Sequence, residues 1–539
     1  MGKLPRITNF ARKTVPSHNQ HNDSNIRSNF IPVRFVILLV VILSCAVDYI
    51  TRVNINVAIV AMVKSHPHSH NVSAGACPFE ETIPDADNNS SSFPSIIHDE
   101  THNVVNPNLT YDWSPRTQGI VLGSFWYSYM CMQVPSGRIA EELGGKWIVA
   151  VSLVGSAVIN FITPLVTGSM FLLLTSRVVL GVLQGGIFPS CYAMLYKWMP
   201  QKERSLALAF MDVGATVGSV VAASLTGYLS EHGFAGGWPS AFYMSGLIAS
   251  VTFVIWLVYT HSTPEEHPSI TDIELRHIQQ TRGTGKNPHG TVSSKKRGPP
   301  VPWRAIFNSP PVLALIASRF SIGWTFFTIL SKLPTYLNDV LHVTPTENGL
   351  LNACLYTASI LSSASAGFLS EKWIQAGYVS RTKCRKYFAA VTNLGSAICL
   401  ATVPSVGCNK TIVIALFIVA NFCMGCCSGG DGPVPSEMTT NFPATVFAIA
   451  NMVSCSSGFI APYVIGIILE SNAGDLRFLW SVVFYLSAAL AVTGFMFFVA
   501  YGEASVQHWD NQQGMYELTA LPTEGSDDEY SVAASEHVA

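Results

Sequence analysis

Asp48 and Arg52 interrupt the first long apolar stretch of the chain, which runs from about Val33 to Val63. Near the middle of a membrane helix each such charge costs at least about 2.5 kcal/mol on insertion scales, so these groups normally face a bundle interior or a water-filled cavity. Four residues apart, they lie one turn above the other on a single helical face. They can neutralise each other and fasten the helix to its neighbours. Alternatively, Arg52 can receive an anionic ligand while Asp48 takes a proton. The other charges within apolar runs are few: Arg177, Asp212, Arg319, Lys332, Asp431 and Glu437. Arginine offers a planar fork of donors that matches carboxylate or phosphate and stays charged at any working pH. Arg52 and Arg177 around one cavity therefore suit an anionic substrate. Asp48, Asp212 and Glu437 are the acids that could tie its movement to a cation gradient. Arg319 opens the seventh run, where it could join that cavity or snorkel to the surface; Lys332 reads as a snorkelling anchor.

Aromatic residues gather at Phe125-Trp126-Tyr127-Ser128-Tyr129 and at Trp324-Thr325-Phe326-Phe327. At helical spacing such stripes usually pack, but beside a buried arginine tyrosine hydroxyls can donate to an anion, with Phe125, Trp324 and Phe327 as candidate walls. Gly181, Gly185 and Gly186 in the fourth run, and Gly214 and Gly218 in the fifth, permit close helix approach. No phosphate-binding loop of the Gly-x4-Gly-Lys-Ser/Thr type is present, so no ATP-driven engine is visible. No Ser/His/Asp or Cys/His grouping is legible either, which argues against an enzyme. The twelve cysteines have no metal-ligand spacing with histidine, so no metal and no cofactor is expected. The row His66-Pro67-His68-Ser69-His70 reads as solvated loop.

These residues need elements to hold them. Of the 539 residues 49% are hydrophobic and 12% charged, with mean hydropathy +0.34; soluble domains carry about 25% charge. The formal net charge of −2 suggests no nucleic-acid partner. Apolar runs recur near 33–63, 118–137, 147–168, 170–198, 205–229, 239–261, 311–337, 347–370, 387–405, 411–433, 444–469 and 477–501, each near the ~20 residues a bilayer demands. This is an all-α membrane protein of about twelve transmembrane helices. A tail of 1–32, a six-helix half of 33–261 with a polar loop of 65–116, a basic linker of 262–310, a second half of 311–501 and a polar tail of 502–539 divide the chain. With a cytoplasmic N-terminus, inside segments collect Arg138, Lys146, Lys197, Lys202, Arg204, Lys372, Arg381, Lys383, Arg385 and Lys386. Outside loops hold little beyond Lys64, Arg116 and Arg477, which is the positive-inside pattern. Glycosylation sequons at Asn71, Asn88, Asn89, Asn108 and Asn409 fall outside on the same topology. So do Cys77 and Cys408, which an oxidising compartment would favour as a disulfide.

Six spans, a basic linker and six more spans is the layout of a major-facilitator transporter, whose halves enclose a midplane site. Several motifs sharpen that. Arg52-Val53-Asn54-Ile55-Asn56-Val57-Ala58, Trp113-Ser114-Pro115 with Gln118-Gly119, Gly123-Ser124-Phe125, Gln133-Val134-Pro135-Ser136-Gly137 and Gly144-Gly145-Lys146 form the first group. Trp198-Met199-Pro200, Glu203-Arg204-Ser205, Trp324-Thr325-Phe326, Leu333-Pro334-Thr335-Tyr336, Glu347-Asn348-Gly349 and Gly502-Glu503 with Trp509 form the second. In order over roughly 33–510, they resemble the solute carrier family 17 anion transporters, nearest to its sialin-like and type I sodium–phosphate branches.

The resemblance implies secondary transport of an organic anion or phosphate, with H+ or Na+ co-transported. It implies that Arg52 contacts the substrate acid, that Arg177 is the fourth-helix arginine, and that Tyr49 and Tyr129 line the site. Leu180 and Gln184 stand where the sialin branch has two glutamates, and Tyr192 where it has a histidine, so proton-driven sialic acid export does not carry over directly. Glu437 stands where that branch has an aspartate. The expectation is a monomeric, multi-pass carrier of a small anion, working by alternating access in a lysosomal, vesicular or plasma membrane with both termini cytoplasmic. Sodium-dependent phosphate uptake and a non-transporting anion sensor on the same fold are the alternatives.

Overall fold

The computed structural model describes residues 32–63, 110–113, 115–281, 300–341, 345–470 and 475–510. Asn71, Asn88, Asn89, Asn108 and Cys77 lie outside the described residues. Apart from one isolated bridge between Val63 and Tyr111, the described residues form helices and turns.

The first half contains α1 (Val33–Met62), α2 (Pro115–Leu143), α3 (Lys146–Val166), α4 (Met170–Gln184), α5 (Ile187–Trp198), α6 (Arg204–His232) and α7 (Pro239–Tyr259). The linker holds α8 (Asp272–Thr281) and α9 (Trp303–Phe307). The second half contains α10 (Pro310–Asp339), α11 (Pro345–Gln375), α12 (Arg381–Ala390), α13 (Ser396–Val406), α14 (Lys410–Gly425), α15 (Val434–Met438), α16 (Pro443–Glu470) and α17 (Leu476–Tyr501). Three spans are composite. The fourth is α4 and α5, bent at Gly185-Gly186. The ninth is α12 and α13, joined by a π-helical turn at Val391–Gly395. The tenth is α14 and α15, parted by a 3-10 turn and the sequence Gly429-Gly430-Asp431-Gly432-Pro433, where three glycines and a proline cannot sustain a helix.

Among the described residues, eleven of the spans are long and apolar enough to cross a membrane on length and composition. The exception is α2, long enough at 29 residues but rich in Gly, Ser, Gln and charged side chains. It packs on α4 within its half and on α16 of the other half, so two of its faces meet protein rather than lipid. Within the halves α1 packs along α6, α3 along α7, α10 along α16 and α17, and α11 along α14. The α1–α6 contact depends on Gly218: a Cβ there would run into the Ala46 carbonyl oxygen. Gly181 does the same for α4 against the Phe125 carbonyl of α2.

The halves close on each other at the end that carries the α2–α3 turn and most of the basic residues. There the Thr445 N–H and hydroxyl donate to the Glu141 carboxylate at 2.8 and 2.6 Å. Gln375 donates to the Lys202 carbonyl at 3.0 Å, and Arg385 to the Ser205 hydroxyl at 2.8 Å. Arg385 reads from sequence as a loop cation, but it lies within α12 and is fully buried. Toward the other end the halves meet through Trp126 and Phe327, edge to face at 4.9 Å, and through Tyr127 and Phe459 at 4.6 Å.

Candidate functional site

The site is built on α1. Its apolar faces seat it between α6 and α7, and this turns Asp48, Thr51, Arg52 and Asn54 into the first half. A polar lattice fixes that rotation. Asn54 donates to the Asn160 side chain at 2.7 Å, and Gln184 donates to the Thr51 and Ser156 hydroxyls at 2.8 and 3.0 Å. Gln184 thus serves as a rigid tie among α1, α3 and α4. From the other half, the Asn451 amide donates to Gln133 at 2.9 Å.

Arg52 is 4% exposed and forms an ion pair with Asp48, as their spacing of four predicts. Its guanidinium lies over the Tyr49 ring at 4.2 Å and the Tyr129 ring at 4.9 Å, with Phe125 at 5.5, Trp126 at 5.9 and Phe188 at 6.0 Å. Such faces attract a cation electrostatically, more so once desolvated. Its Nε has no hydrogen-bond partner among the described residues.

Arg177, on the buried face of α4, is 3% exposed. Its Nη2 donates to the Arg52 carbonyl at 3.4 Å and its guanidinium lies 5.4 Å from the Phe125 ring. No carboxylate lies within ion-pair distance of it among the described residues, and its Nε is also unpartnered. Of the two buried guanidiniums one has a carboxylate partner, Asp48, and the other has none among the described residues, leaving one positive charge uncompensated. A buried charge left unpaired is costly, and an anion placed between the forks would remove the deficit.

Not every expected residue joins this centre. Phe327 reaches it from the second half through Trp126. Trp324 does not: its indole donates to the Ser487 hydroxyl at 3.2 Å and ties α10 to α17. Glu437 is held elsewhere, gripped by Arg385 through two bonds of 3.0 and 2.6 Å and approached by Arg381 at 3.6 Å. That double grip is the geometry of a fixed structural carboxylate. Arg319 does not snorkel; its Nε lies 3.4 Å from Asp431 Oδ2, which also accepts the Ser318 hydroxyl at 3.0 Å. Asp212 lines a narrow cleft with Arg319, Tyr192, Ser428, Gly432 and Phe447. Asn409 caps α14, its side-chain oxygen accepting the Ile412 N–H at 3.2 Å. Cys408 is in a disulfide.

Sequence reasoning gave Asp431 and Arg385 no role. The glycine-proline break around Asp431 was the available signal for the first, since broken spans gather at sites. Arg385 offered none, because a basic residue near a span end looks like any other loop cation.

The comparisons agree with this architecture. The Major Facilitator Superfamily profile matches residues 41–462. Sialin of Homo sapiens is 30% identical over 468 residues, which is 86% of this chain and 87% of that protein. A putative inorganic phosphate cotransporter of Drosophila melanogaster is 28% identical over 492 residues, 91% of this chain and 88% of that protein. A solved structure of the proton:xylose symporter XylE bound to 6-bromo-6-deoxy-D-glucose superposes with a TM-score of 0.62 at 12% identity, covering 90% of this chain and 99% of that one. That likeness concerns the fold. The chain is a secondary transporter of the Major Facilitator Superfamily and, within it, belongs to the solute carrier family 17 anion transporters.

Proposed function

We propose that this protein carries small organic anions bearing a carboxylate, by alternating access and coupled to a cation gradient. The observation that carries this reading is the uncompensated charge at Arg52 and Arg177, with an unpartnered Nε on each. A carboxylate seated there would accept from both forks, and the rings of Tyr49, Phe125, Trp126, Tyr129 and Phe188 would hold its organic body. Those rings favour an organic anion over inorganic phosphate. Inorganic phosphate has no apolar body for those rings to cover, so it would leave their buried faces without a partner. Asp48, as the fixed partner of Arg52, serves as counter-ion, and Asp212 is the acid left for coupling.

The protein acts as a monomer in a lysosomal, vesicular or plasma membrane, with both termini in the cytoplasm and the sequons on the far side. The names of its relatives give the substrate panel its range. The purified chain is reconstituted in liposomes and offered labelled sialic acid, glucuronate, glutamate, urate and phosphate, under separately imposed proton, sodium and voltage gradients. Accumulation of a carboxylate supports the reading. Accumulation of phosphate alone under a sodium gradient overturns it in favour of phosphate cotransport, and binding without accumulation of any anion would make the protein a sensor.

A further inference from the structure

A second charged centre lies at the seam between the halves, separate from the arginine pair. Arg319 comes from α10, Asp431 from the break between α14 and α15, and Asp212 from α6 of the other half. Discontinuous membrane helices free backbone and side-chain groups that recur at ion sites. Asp431 is fully buried, and its Oδ2 takes both the Arg319 contact at 3.4 Å and the Ser318 hydroxyl. Its Oδ1 has no hydrogen-bond partner among the described residues. Asp212 makes no side-chain hydrogen bond or ion pair among the described residues. It faces, with Arg319, a cleft with room for about one water molecule.

The charges do not balance. Two carboxylates surround one guanidinium, so the ionised centre is net negative by one, the opposite of the arginine site. The other titratable groups within electrostatic reach are Tyr192 of α5, Cys45 and Tyr49 of α1, Cys427 beside the break and Cys455 of α16. Thiols and phenols are ordinarily neutral at physiological pH, and Arg52, which acts on Cys45 and Cys455 as well, is paired with Asp48, so none supplies the missing positive charge. Glu437, which acts on Tyr192, is already committed to Arg385.

We infer that Asp212, Asp431 and Arg319 form a site for one proton, shared by the two carboxylates across the seam. With the proton on either carboxylate, the other is balanced by Arg319 and the centre is neutral; without it, one negative charge is left over. A metal cation fits less well. It would need several oxygen ligands at once, and the cleft offers it the Asp212 carboxylate beside a guanidinium whose charge repels a cation. Because Asp212 moves with one half and Arg319 and Asp431 with the other, opening the halves separates the carboxylates and changes the proton's partners. That supplies the link between protonation and alternating access. Its use in coupling rests on the transport reading above; the proton site itself does not.

The test is infrared difference spectroscopy of the purified full-length chain in lipid vesicles, between neutral and mildly acidic buffer, with no anion present. The readout is the protonated-carboxyl band in wild type, Asp212→Asn and Asp431→Asn. If one proton is shared, each single variant loses the same one-carboxyl amplitude, because Arg319 suffices to balance whichever carboxylate remains. Asparagine is nearly isosteric with aspartate, so both variants should fold, and the sharing is judged from the two together. A variant that keeps the wild-type band overturns the site. Losses that differ between the variants, and add in the double variant, overturn the sharing. Since no anion is used, failure of the flux panel would leave this result untouched, and failure here would leave the arginine site standing.

Discussion

Arg52 and Arg177 are both buried arginines of the first half, yet the structure predicts opposite stability outcomes when each is neutralised. Arg52→Gln leaves Asp48 ionised and without its partner in the interior, a situation that typically costs about 3–5 kcal/mol. Arg177→Gln removes a cation with no carboxylate beside it. What is lost is one long hydrogen bond to the Arg52 carbonyl and a ring contact with Phe125, together on the order of 1–2 kcal/mol. What is relieved is the desolvation of an unpaired charge, several kcal/mol in the opposite direction. Arg177→Gln should therefore unfold at the wild-type temperature or above it, and Arg52→Gln well below it. Pairing Arg52→Gln with Asp48→Asn should recover most of that loss. Anion binding should fall in all three. A hydrogen bond to a charged group is worth about 1.5–3 kcal/mol, so Arg177→Gln should weaken affinity by roughly 10- to 150-fold. Thermal unfolding in detergent gives the first quantity. Titration with the anion that gives the largest flux gives the second. Destabilisation of Arg177→Gln matching that of Arg52→Gln would show that Arg177 has a counter-charge after all, and undiminished affinity would remove it from the site.

Glu437→Gln should lower the unfolding temperature, because Arg385 is fully buried and loses its principal partner. Gradient-driven accumulation per folded molecule should persist; its selective loss would return Glu437 to the coupling machinery. Where the first half passes into the linker, burial lowers the imidazoles of His261 and His267 below the ordinary histidine value, and the Lys146 charge adds to this for both. The unfolded segment then binds more protons than the docked one, so the docking they support is complete above about pH 6.5 and weakens as pH falls through that value. Hydrogen exchange across 261–281 should quicken on acidification, and a flat pH profile would contradict this. Unreduced peptide mass spectrometry should find Cys408 cross-linked, with Cys77 as its partner; an alkylatable Cys408 thiol would rule that out.

The chain's own pattern determined a good deal. Hydropathy located the spans to within a few residues, because a bilayer sets the length of any helix that crosses it. The i, i+4 spacing paired Asp48 with Arg52, and the glycines of the fourth and sixth helices marked where backbones touch. All of these are local: helical geometry fixes which residues share a face. Only the tertiary structure decided which face meets which neighbour. Trp324 and Phe327 lie three residues apart on α10, yet one ties to Ser487 and the other reaches Trp126 in the opposite half. Glu437 finds Arg385, 52 residues away, and Arg319 finds Asp431. Asp212 meets Arg319 at a shared cleft across the seam between the halves. Helix period gives the direction in which a side chain points, but the partner waiting there depends on how twelve spans pack together.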